Sequence, residues 1–353
     1  MPKHPSLSIA NRKIGPDYPP YIIAELSANH LGQFERARET LEAAAECGVD
    51  AVKLQTYRAG SITLDHDGPG FKIESGLWQG TTLYELYRAA QMPWEWHKPL
   101  MRRGSELGVH VFSSPFDYDA IELLASLDVP AYKIASFEAI DLPLIERAAA
   151  QAKPLIISTG MANLAEIDAA VHSAERGGAP AVSLLHCISG YPTPVGEANL
   201  RTIPDLARRF PNAVIGLSDH TLGTTVSVAS IVLGASIIEK HFTLARADGG
   251  PDSSFSLEPR ELQQLVQDCR VAWEALGETS YELKSSERNN VQFRRSLYAI
   301  KDIAEGEAFT EANIRSIRPG FGLPPKQLHE ILGKTATKDI KRGEPLQQVM
   351  ISR

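Results

Sequence analysis

Charged and polar residues stand at the ends of several short apolar segments of this 353-residue chain. Lys53 and Gln55 close one such segment, and Glu239 and His241 close another. Because successive side chains of a strand point to opposite faces, the two members of each pair point the same way. A lysine that points into an apolar interior needs an anionic partner or a wet cavity. The pairs therefore predict a polar site where the strand ends meet.

Two histidines are candidate metal ligands. His220 and His241 end neighbouring predicted strands, beside acidic residues. Histidine combined with oxygen ligands suits Mn, Fe, Co or Zn better than Ca. The alternative is a pair of histidines that are hydrogen-bonded at the strand ends, and the spacing alone leaves both interpretations open.

A second group of residues has the chemistry of a phosphate site. A phosphoryl group needs cations and several hydroxyl or N–H donors, and the residues of these types at the strand ends are Lys53, Lys133, Ser136, Ser158 and Ser218. In the alternative interpretation the lysines pair with Glu25 and Glu239, and the serines cap the helices that follow. Trp78, Trp94 and Trp96 either line a sugar site or pack in the core.

The apolar segments alternate with helical patterns, which places these residues in one fold. Eight segments are predicted as strands: 21–27, 51–57, 109–114, 132–136, 154–159, 182–187, 213–218 and 236–242. Eight β-then-α units in about 250 residues predict a (β/α)8 barrel, in which the C-terminal strand ends converge at one mouth. The alternative, an open doubly wound sheet, usually carries a glycine-rich loop after its first strand, and none follows 21–27.

The character of the chain changes after a helix predicted at about 259–276. The next segment is polar, and KDIAEGE at 301–307 returns as KDIKRGE at 338–344. Each copy is typical of a short strand that enters a glycine turn. We therefore expect a barrel domain at 1–280, a linker at 281–295 and a small β-rich domain at 296–353.

Composition limits the classes of partner. Net charge is −7 without a dense basic block, so neither nucleic acid nor an anionic membrane is expected. No stretch approaches 18 apolar residues, and residues 1–15 do not resemble a signal peptide. The three cysteines, Cys47, Cys187 and Cys269, are far apart, which favours reduced thiols in a cytoplasmic protein.

These strand ends resemble the sialic acid synthase family. The similar segments are AELSANH (24–30), VKLQ (52–55), YKIASFE (132–138), STGM (158–161), GLSDHT (216–221) and IEKHF (238–242). RSLY (295–298) and IRPG (317–320) resemble the family's antifreeze-like (SAF) domain, so the likeness spans roughly 20 to 350 in order. Within the family, AELSANH, GLW (76–78), LYELY (83–87) and EWH (95–97) resemble pseudaminic acid synthases.

The resemblance implies a TIM barrel followed by the SAF domain, together with a set of ligands. It implies a divalent metal bound by His220 and His241. Mn²⁺ is the expected ion, and Co²⁺ and Mg²⁺ are the alternatives. Phosphoenolpyruvate would be held by Lys53, Lys133, Ser136, Ser158, Ser189, Tyr191 and Ser218, and the amino sugar by Gln55, Trp78, Asp252, Phe293 and Arg318. Phe293 and Arg318 would come from the other subunit of a domain-swapped homodimer. Ser189 stands where the family often has an asparagine. Leu31 stands where the family usually has an asparagine or an aspartate.

The implied reaction condenses phosphoenolpyruvate with 2,4-diacetamido-2,4,6-trideoxy-altrose and water. It releases pseudaminic acid and phosphate by C–O cleavage, with Glu25 as the catalytic carboxylate, expected to stay ionised near pH 7 among the lysines. One alternative is the same chemistry on N-acetylmannosamine or a legionaminic acid precursor. The others are a Schiff-base aldolase that uses Lys133 or Lys240, and a non-catalytic sugar-binding protein.

Overall fold

The barrel predicted from the sequence is confirmed. The computed structural model describes residues 4–76 and 78–353, and these form two compact units with a boundary between Gly277 and Glu278. The first unit opens with a hairpin of strands β1 (Leu7–Ile9) and β2 (Arg12–Ile14) and continues as a closed parallel barrel of eight strands. The barrel strands are β3 (Tyr21–Glu25), β4 (Ala51–Thr56), β5 (His110–Pro115), β6 (Tyr132–Ile134), β7 (Leu155–Ser158), β8 (Val182–Cys187), β9 (Val214–Asp219) and β10 (Ile237–His241).

Helices follow the strands and cover the barrel. Their starts are marked by side chains that accept backbone N–H groups, such as Asp117, Asp141 and Asn163. The α-helices of this unit are α1 (Phe34–Glu46), α2 (Ala59–Ile62), α3 (Leu83–Ala90), α4 (His97–Leu107), α5 (Tyr118–Ser126), α6 (Leu142–Ala149), α7 (Leu164–Gly177), α8 (Thr202–Arg209), α9 (Thr225–Val232) and α10 (Pro259–Leu276). No helix in the described part of the chain is long and apolar enough to span a membrane.

The inward face of the barrel is apolar at one end and polar at the other. Its lower layer contains Tyr21, Phe112, Ile156 and Ile237 among others, and the hairpin residues Leu7, Ile9 and Ile14 pack into the same cluster. The hairpin therefore closes the N-terminal end of the barrel. Because inward positions alternate along each strand, the next inward layers carry the lysine, glutamate, serine and histidine side chains predicted above.

Three details differ from the predicted elements. The fourth barrel strand ends at Ile134, and Ser136 starts a short 3-10 helix, Ser136–Glu138, instead of ending a strand. The hairpin was not anticipated, because strands of three residues carry too little alternation to be recognised. The predicted linker contains a 3-10 helix, Ser285–Phe293.

The second unit is a small β-rich fold. It contains strands β11 (Ser296–Ala299) and β12 (Ile314–Ile317), which pair antiparallel, and the short helix α11 (Leu328–Ile331). The two KDI segments pair with each other through Ile303 and Ile340, whose backbones exchange two hydrogen bonds of 2.9 Å. Each copy makes an isolated bridge instead of the predicted strand, and then turns at Gly306 (φ +79°) or Gly343 (φ +90°).

Candidate active site

Lys53 lies at the centre of the polar end of the barrel. Its Nζ is 3.2 Å from Oε2 of Glu25 and 3.0 Å from Oε1 of Glu239, and all three side chains are buried. The three come from β4, β3 and β10, which are neighbours in the barrel. The predicted convergence of these strand ends is therefore realised.

Lys133 extends the cluster across the mouth. Its Nζ donates to Oγ of Ser158 (2.6 Å) and lies 3.8 Å from Oε1 of Glu239. Ser218 donates to the same glutamate oxygen at 3.2 Å. The lysines pair with carboxylates, as the alternative interpretation has it. The serines do not cap the helices that follow them, since the N-caps of α6, α7 and α9 are Asp141, Asn163 and Thr224.

The two lysines differ in their electrostatics. Burial lowers the pKa of Lys53, but Glu239 and Glu25 outweigh that effect and raise it to about 12. Burial dominates for Lys133, with Glu239 opposing it and Lys53 adding to it, so its pKa falls to about 8. Burial also opposes the charge of Glu239, yet Lys133 and Lys53 hold the pKa of that carboxyl below its ordinary value.

Glu25 was expected to stay ionised near pH 7, but its surroundings raise its pKa. Burial raises the pKa of Glu25, and repulsion from Glu239 raises it further. The attraction of Lys53 opposes both effects, and the resulting pKa is about 7. The physical reason is that one lysine is shared between two carboxylates in a dry site.

Hydroxyl groups gather around Gly160, next to Lys133. The backbone N–H of Gly160 donates to Oγ of Ser136 (3.2 Å). A side chain at position 160 would meet the hydroxyls of Ser189 and Ser136, since an added Cβ would lie 2.3 and 2.7 Å from them. The Ser189 hydroxyl is buried and has no hydrogen-bond partner within 4–76 and 78–353. This arrangement supplies donors of the type that a phosphoryl group needs.

His220 and His241 meet at the barrel mouth, with ring centroids 5.3 Å apart. Nδ1 of His220 lies 3.0 Å from the Ile188 carbonyl oxygen. That oxygen can only accept, so Nδ1 carries a proton, and in the neutral ring the lone pair is on Nε2. Nδ1 of His241 is buried and lacks a partner among the described residues, and burial lowers the pKa of His241 well below its ordinary value, helped by His220 and Lys53.

This pair fits an open metal site of two protein ligands. In the described part of the chain, no group of three or more His, Cys, Asp or Glu side chains is placed to hold a metal. Water or substrate oxygen would have to complete the coordination, as in catalytic sites that keep open positions.

The predicted sugar-binding residues of the barrel lie on the adjoining side of the mouth. Gln55 donates from Nε2 to Oε1 of Glu25 (2.8 Å) and to Oγ of Ser27 (3.1 Å). Ser27 in turn donates to Asp252. Gln55, Asp252 and Glu25 therefore belong to one hydrogen-bonded chain.

An aromatic stack borders the histidines. The Tyr191 ring lies 4.4 Å from the His220 ring, and the Trp78 ring lies 6.0 Å from that of Tyr191. Trp78 is half-buried and its indole N–H donates to the Pro251 carbonyl at 3.1 Å, so only its ring offers surface to a ligand. Leu77, in the same predicted segment, lies outside the described residues. Trp94 and Trp96 are also half-buried.

Phe293 and Arg318 belong to the second unit, where both are exposed. The backbone N–H of Gly320 donates to the Gln292 carbonyl at 2.9 Å. The loop that carries Arg318 is thereby tied to the helix that ends at Phe293, so the two residues lie in adjoining segments of this unit.

Lys240 is excluded as a nucleophile at the mouth. Strand alternation turns Glu239 and His241 inward and Lys240 outward, where Nζ pairs with Oδ2 of Asp219 at 2.8 Å. Oγ of Ser227 donates to the same oxygen at 2.5 Å. Both members of the pair are buried, so this lysine is a structural cation between β9, β10 and α9.

Three functional candidates escaped the sequence analysis. Glu239 was placed on one face with His241, but its only predicted role was as a partner for the lysines. Cys187 lies 3.8 Å from Nδ1 of His220, and Glu138 carries a buried oxygen without a partner in the described residues. Burial raises the pKa of Glu138 to about 7, partly opposed by its own backbone N–H and by Lys133. Neither position carried a sequence signal of its own.

Comparison with known proteins assigns the family. The profile of the NeuB family matches residues 40–281, and that of the SAF domain matches residues 294–352. A pseudaminic acid synthase of Campylobacter jejuni is 44% identical over 328 residues, 93% of this chain and 95% of that protein. The N,N'-diacetyllegionaminic acid synthase of the same organism is 36% identical over 93% of this chain and 98% of that protein.

A solved structure agrees in fold and sequence. The N-acetylneuraminic acid synthetase of Leptospira borgpetersenii, in complex with citrate, superposes with a TM-score of 0.73 at 30% identity, covering 82% of this chain and 96% of that one. The barrel mouth described above and both profile matches lead to one assignment: this chain is a member of the NeuB family that also carries a SAF domain.

Proposed function

We propose that this protein is a pseudaminic acid synthase. It would condense phosphoenolpyruvate with 2,4-diacetamido-2,4,6-trideoxy-altrose and water, giving pseudaminic acid and phosphate. The observation that carries the reaction type is the buried cluster of Lys53, Lys133, Glu25 and Glu239 beside two histidines. The choice of sugar is supported by the higher identity to pseudaminic than to legionaminic acid synthases of one organism, 44% against 36%.

The lysines and hydroxyls bind the anionic substrate. Lys133, Ser158 and Ser136 hold the phosphoryl group, with Ser189, Tyr191 and Ser218 around it, and Lys53 neutralises the carboxylate. Binding of the anion would replace part of the pairing of the lysines with Glu25 and Glu239. Preorganised cations of this kind act in a water-excluded site, where their electrostatic effect is large.

Glu25 handles the proton of the attacking water. C3 of phosphoenolpyruvate forms a bond to the aldehyde carbon of the sugar, and positive charge develops at C2. Water adds at C2 as Glu25 takes its proton and returns it to the alkoxide oxygen left on the sugar. The C–O bond to phosphate then breaks as the C2 hydroxyl loses its proton and becomes the ketone carbonyl. A pKa of about 7 suits a group that accepts and returns a proton near neutral pH. A divalent ion on His220 and His241, Mn²⁺ before Co²⁺ or Mg²⁺, supplies Lewis acidity to the aldehyde when bound.

An isotope experiment tests the reaction type. Phosphoenolpyruvate labelled with oxygen-18 in its bridging oxygen should deliver the label to phosphate, because C–O cleavage leaves that oxygen on phosphorus. Mass spectrometry of the released phosphate measures this.

A Schiff-base aldolase is the competing function. The lowered pKa of Lys133, at about 8, is a property that such lysines share. Unlabelled phosphate would indicate P–O cleavage and contradict the synthase reaction. A Lys133 adduct trapped by borohydride with pyruvate, without release of phosphate from phosphoenolpyruvate, would support the aldolase.

We also propose that the active unit is a domain-swapped homodimer, in which Phe293 and Arg318 complete the partner's barrel mouth. Its support is the exposure of both residues in adjoining segments of the SAF unit. Arg318→Ala and Glu25→Gln proteins, each inactive, should regain activity when their subunits are mixed and exchanged. Random pairing makes half of the dimers mixed with one intact site each, so about a quarter of the parent's activity is expected.

The matched control mixes the Arg318→Ala protein with the Phe293→Ala protein. Both substitutions lie in the SAF unit. In a mixed dimer each barrel is therefore completed by an altered SAF unit, no site is intact, and no activity should return. If Arg318→Ala and Glu25→Gln also fail to complement, with exchange verified by mass-tagged subunits, Arg318 serves its own barrel.

A further inference from the structure

Ser27 has an unusual backbone for its residue type. Its φ is +46°, in the left-handed region that glycine enters freely and other L-residues enter at a cost. Some other non-glycine residues with positive φ, such as Asp128 (φ +53°) and Ala152 (φ +54°), follow helix ends, where left-handed residues are common. Ser27 instead follows a barrel strand, as Met161 (φ +63°) does, and it comes directly after Glu25 and Leu26. Strain of this kind persists where surrounding contacts hold it, and it clusters at functional sites.

The side chain of Ser27 shows what holds it. It is 4% exposed, and its Oγ accepts a hydrogen bond from Nε2 of Gln55 (3.1 Å) and donates one to Asp252. The hydroxyl therefore links the C-terminal end of strand β4 to the loop that follows β10. A glycine would remove the strain and also remove this link.

The link fixes which way the Gln55 amide faces. Nε2 of Gln55 donates to Glu25 (2.8 Å) and to Ser27 (3.1 Å), so both of its N–H groups are used. The carbonyl Oε1 is left as the atom that can accept a hydrogen bond from a ligand. Without the Ser27 hydroxyl only Glu25 would orient the amide, and Asp252 would lose a donor.

We propose that Ser27 is a positioning residue for the acceptor sugar: its hydroxyl aligns Gln55 and Asp252, so that the Gln55 carbonyl receives an N–H or O–H of the sugar. This assignment rests on the proposed synthase function. Ser27 itself touches no substrate in this arrangement. Its role therefore appears in the kinetics of the sugar and not in those of phosphoenolpyruvate.

Two variants separate the hydroxyl from the backbone strain. Ser27→Gly removes both, and Ser27→Ala removes the hydroxyl and keeps the strain. Both should lower kcat/KM for the sugar about tenfold or more, because they leave buried polar groups without a partner, and both should leave the KM for phosphoenolpyruvate within about twofold. Ser27→Gly should melt at a higher temperature than Ser27→Ala, since glycine adopts a positive φ without strain.

The matched control is Ala152→Gly, which relieves the same kind of strain at an exposed turn and should leave the kinetics for both substrates unchanged. A Ser27→Gly protein with the parent's kcat and KM for the sugar overturns the proposal. A loss of activity in which the KM for phosphoenolpyruvate changes as much as the KM for the sugar also overturns the proposal, because such a loss indicates a structural role for Ser27.

A crystal structure of Ser27→Gly keeps this proposal separate from the synthase function. If the parent protein turns over no sugar, the proposed function fails. The position of the Gln55 amide in the Ser27→Gly structure then decides whether Ser27 has a positioning role. A Gln55 amide that has left its contact with Glu25, 2.8 Å in the parent, supports the positioning role. An amide that stays in place contradicts it.

Discussion

Replacing Glu25 by glutamine should lower kcat about a hundredfold or more, with a much smaller change in the KM for phosphoenolpyruvate. The substitution preserves the shape of a side chain that is almost fully buried and removes its charge. Oε1 would still accept from Gln55, but an amide N–H would face the ammonium of Lys53 in place of a carboxylate oxygen. The variant thus loses both the base and the counter-charge near C2. Steady-state kinetics with each substrate varied in turn measures the effect.

Two further variants show whether the loss belongs to the chemistry. Glu25→Asp keeps the charge on a shorter side chain and should fall between the parent and Glu25→Gln. Glu35→Gln, an exposed carboxylate in the first turn of α1, should behave as the parent. A Glu25→Gln protein with near-normal kcat assigns Glu25 a structural role.

Removing the metal should abolish activity. His220 and His241 offer two imidazoles at one point of the mouth, and one of them has a buried nitrogen without a partner among the described residues. We expect EDTA to inactivate the protein and Mn²⁺ or a similar ion to restore it. His241→Ala should lose bound metal, measured by elemental analysis, while its circular dichroism spectrum stays that of the parent.

The control for this experiment is His172→Ala. His172 lies on the exposed face of α7, 60% exposed, and its removal should change neither metal content nor activity. Full activity in a chelated sample without detectable metal contradicts the metal proposal, and it leaves the phosphate-binding role of the lysines standing.

Strand alternation accounts for most of what could be predicted from the sequence. Lys53 with Gln55, and Glu239 with His241, were placed on the inward face because they are two residues apart, and the structure brings these strand ends together. The same rule turns Lys240 outward, so its exclusion as a nucleophile was also available from the sequence. The boundaries were less predictable, as the early end of β6 at Ile134 shows.

Other features depend on distances that no single segment encodes. The pKa of Glu25 follows from sharing Lys53 with Glu239, a residue more than two hundred positions away. The hairpin that closes the barrel consists of strands of three residues, too short to show a period. The strain at Ser27 follows from contacts with Gln55 and Asp252, which meet only in the folded barrel.

The aromatic rings at the barrel mouth bear on which sugar the protein accepts. The half-buried rings of Trp78 and Tyr191 form an apolar border beside His220, and the buried ring of Phe255 packs against Tyr191 and His241. Such a surface suits the methyl group of a 6-deoxy sugar and leaves a hydroxymethyl group unpaired. A binding site discriminates against a substrate whose hydroxyl group it leaves without a hydrogen-bond partner. A difference of one methylene between two substrates gives only about 10 to 200-fold discrimination.

Phosphate release with competing sugars tests the choice of acceptor most directly. The protein is supplied with phosphoenolpyruvate, Mn²⁺ and 2,4-diacetamido-2,4,6-trideoxy-altrose, the legionaminic acid precursor or N-acetylmannosamine, first singly and then in pairs. We expect phosphate release to require a sugar, and kcat/KM to be highest for the altrose derivative, well above that for N-acetylmannosamine. A higher kcat/KM for N-acetylmannosamine or for the legionaminic acid precursor would contradict the assignment as a pseudaminic acid synthase.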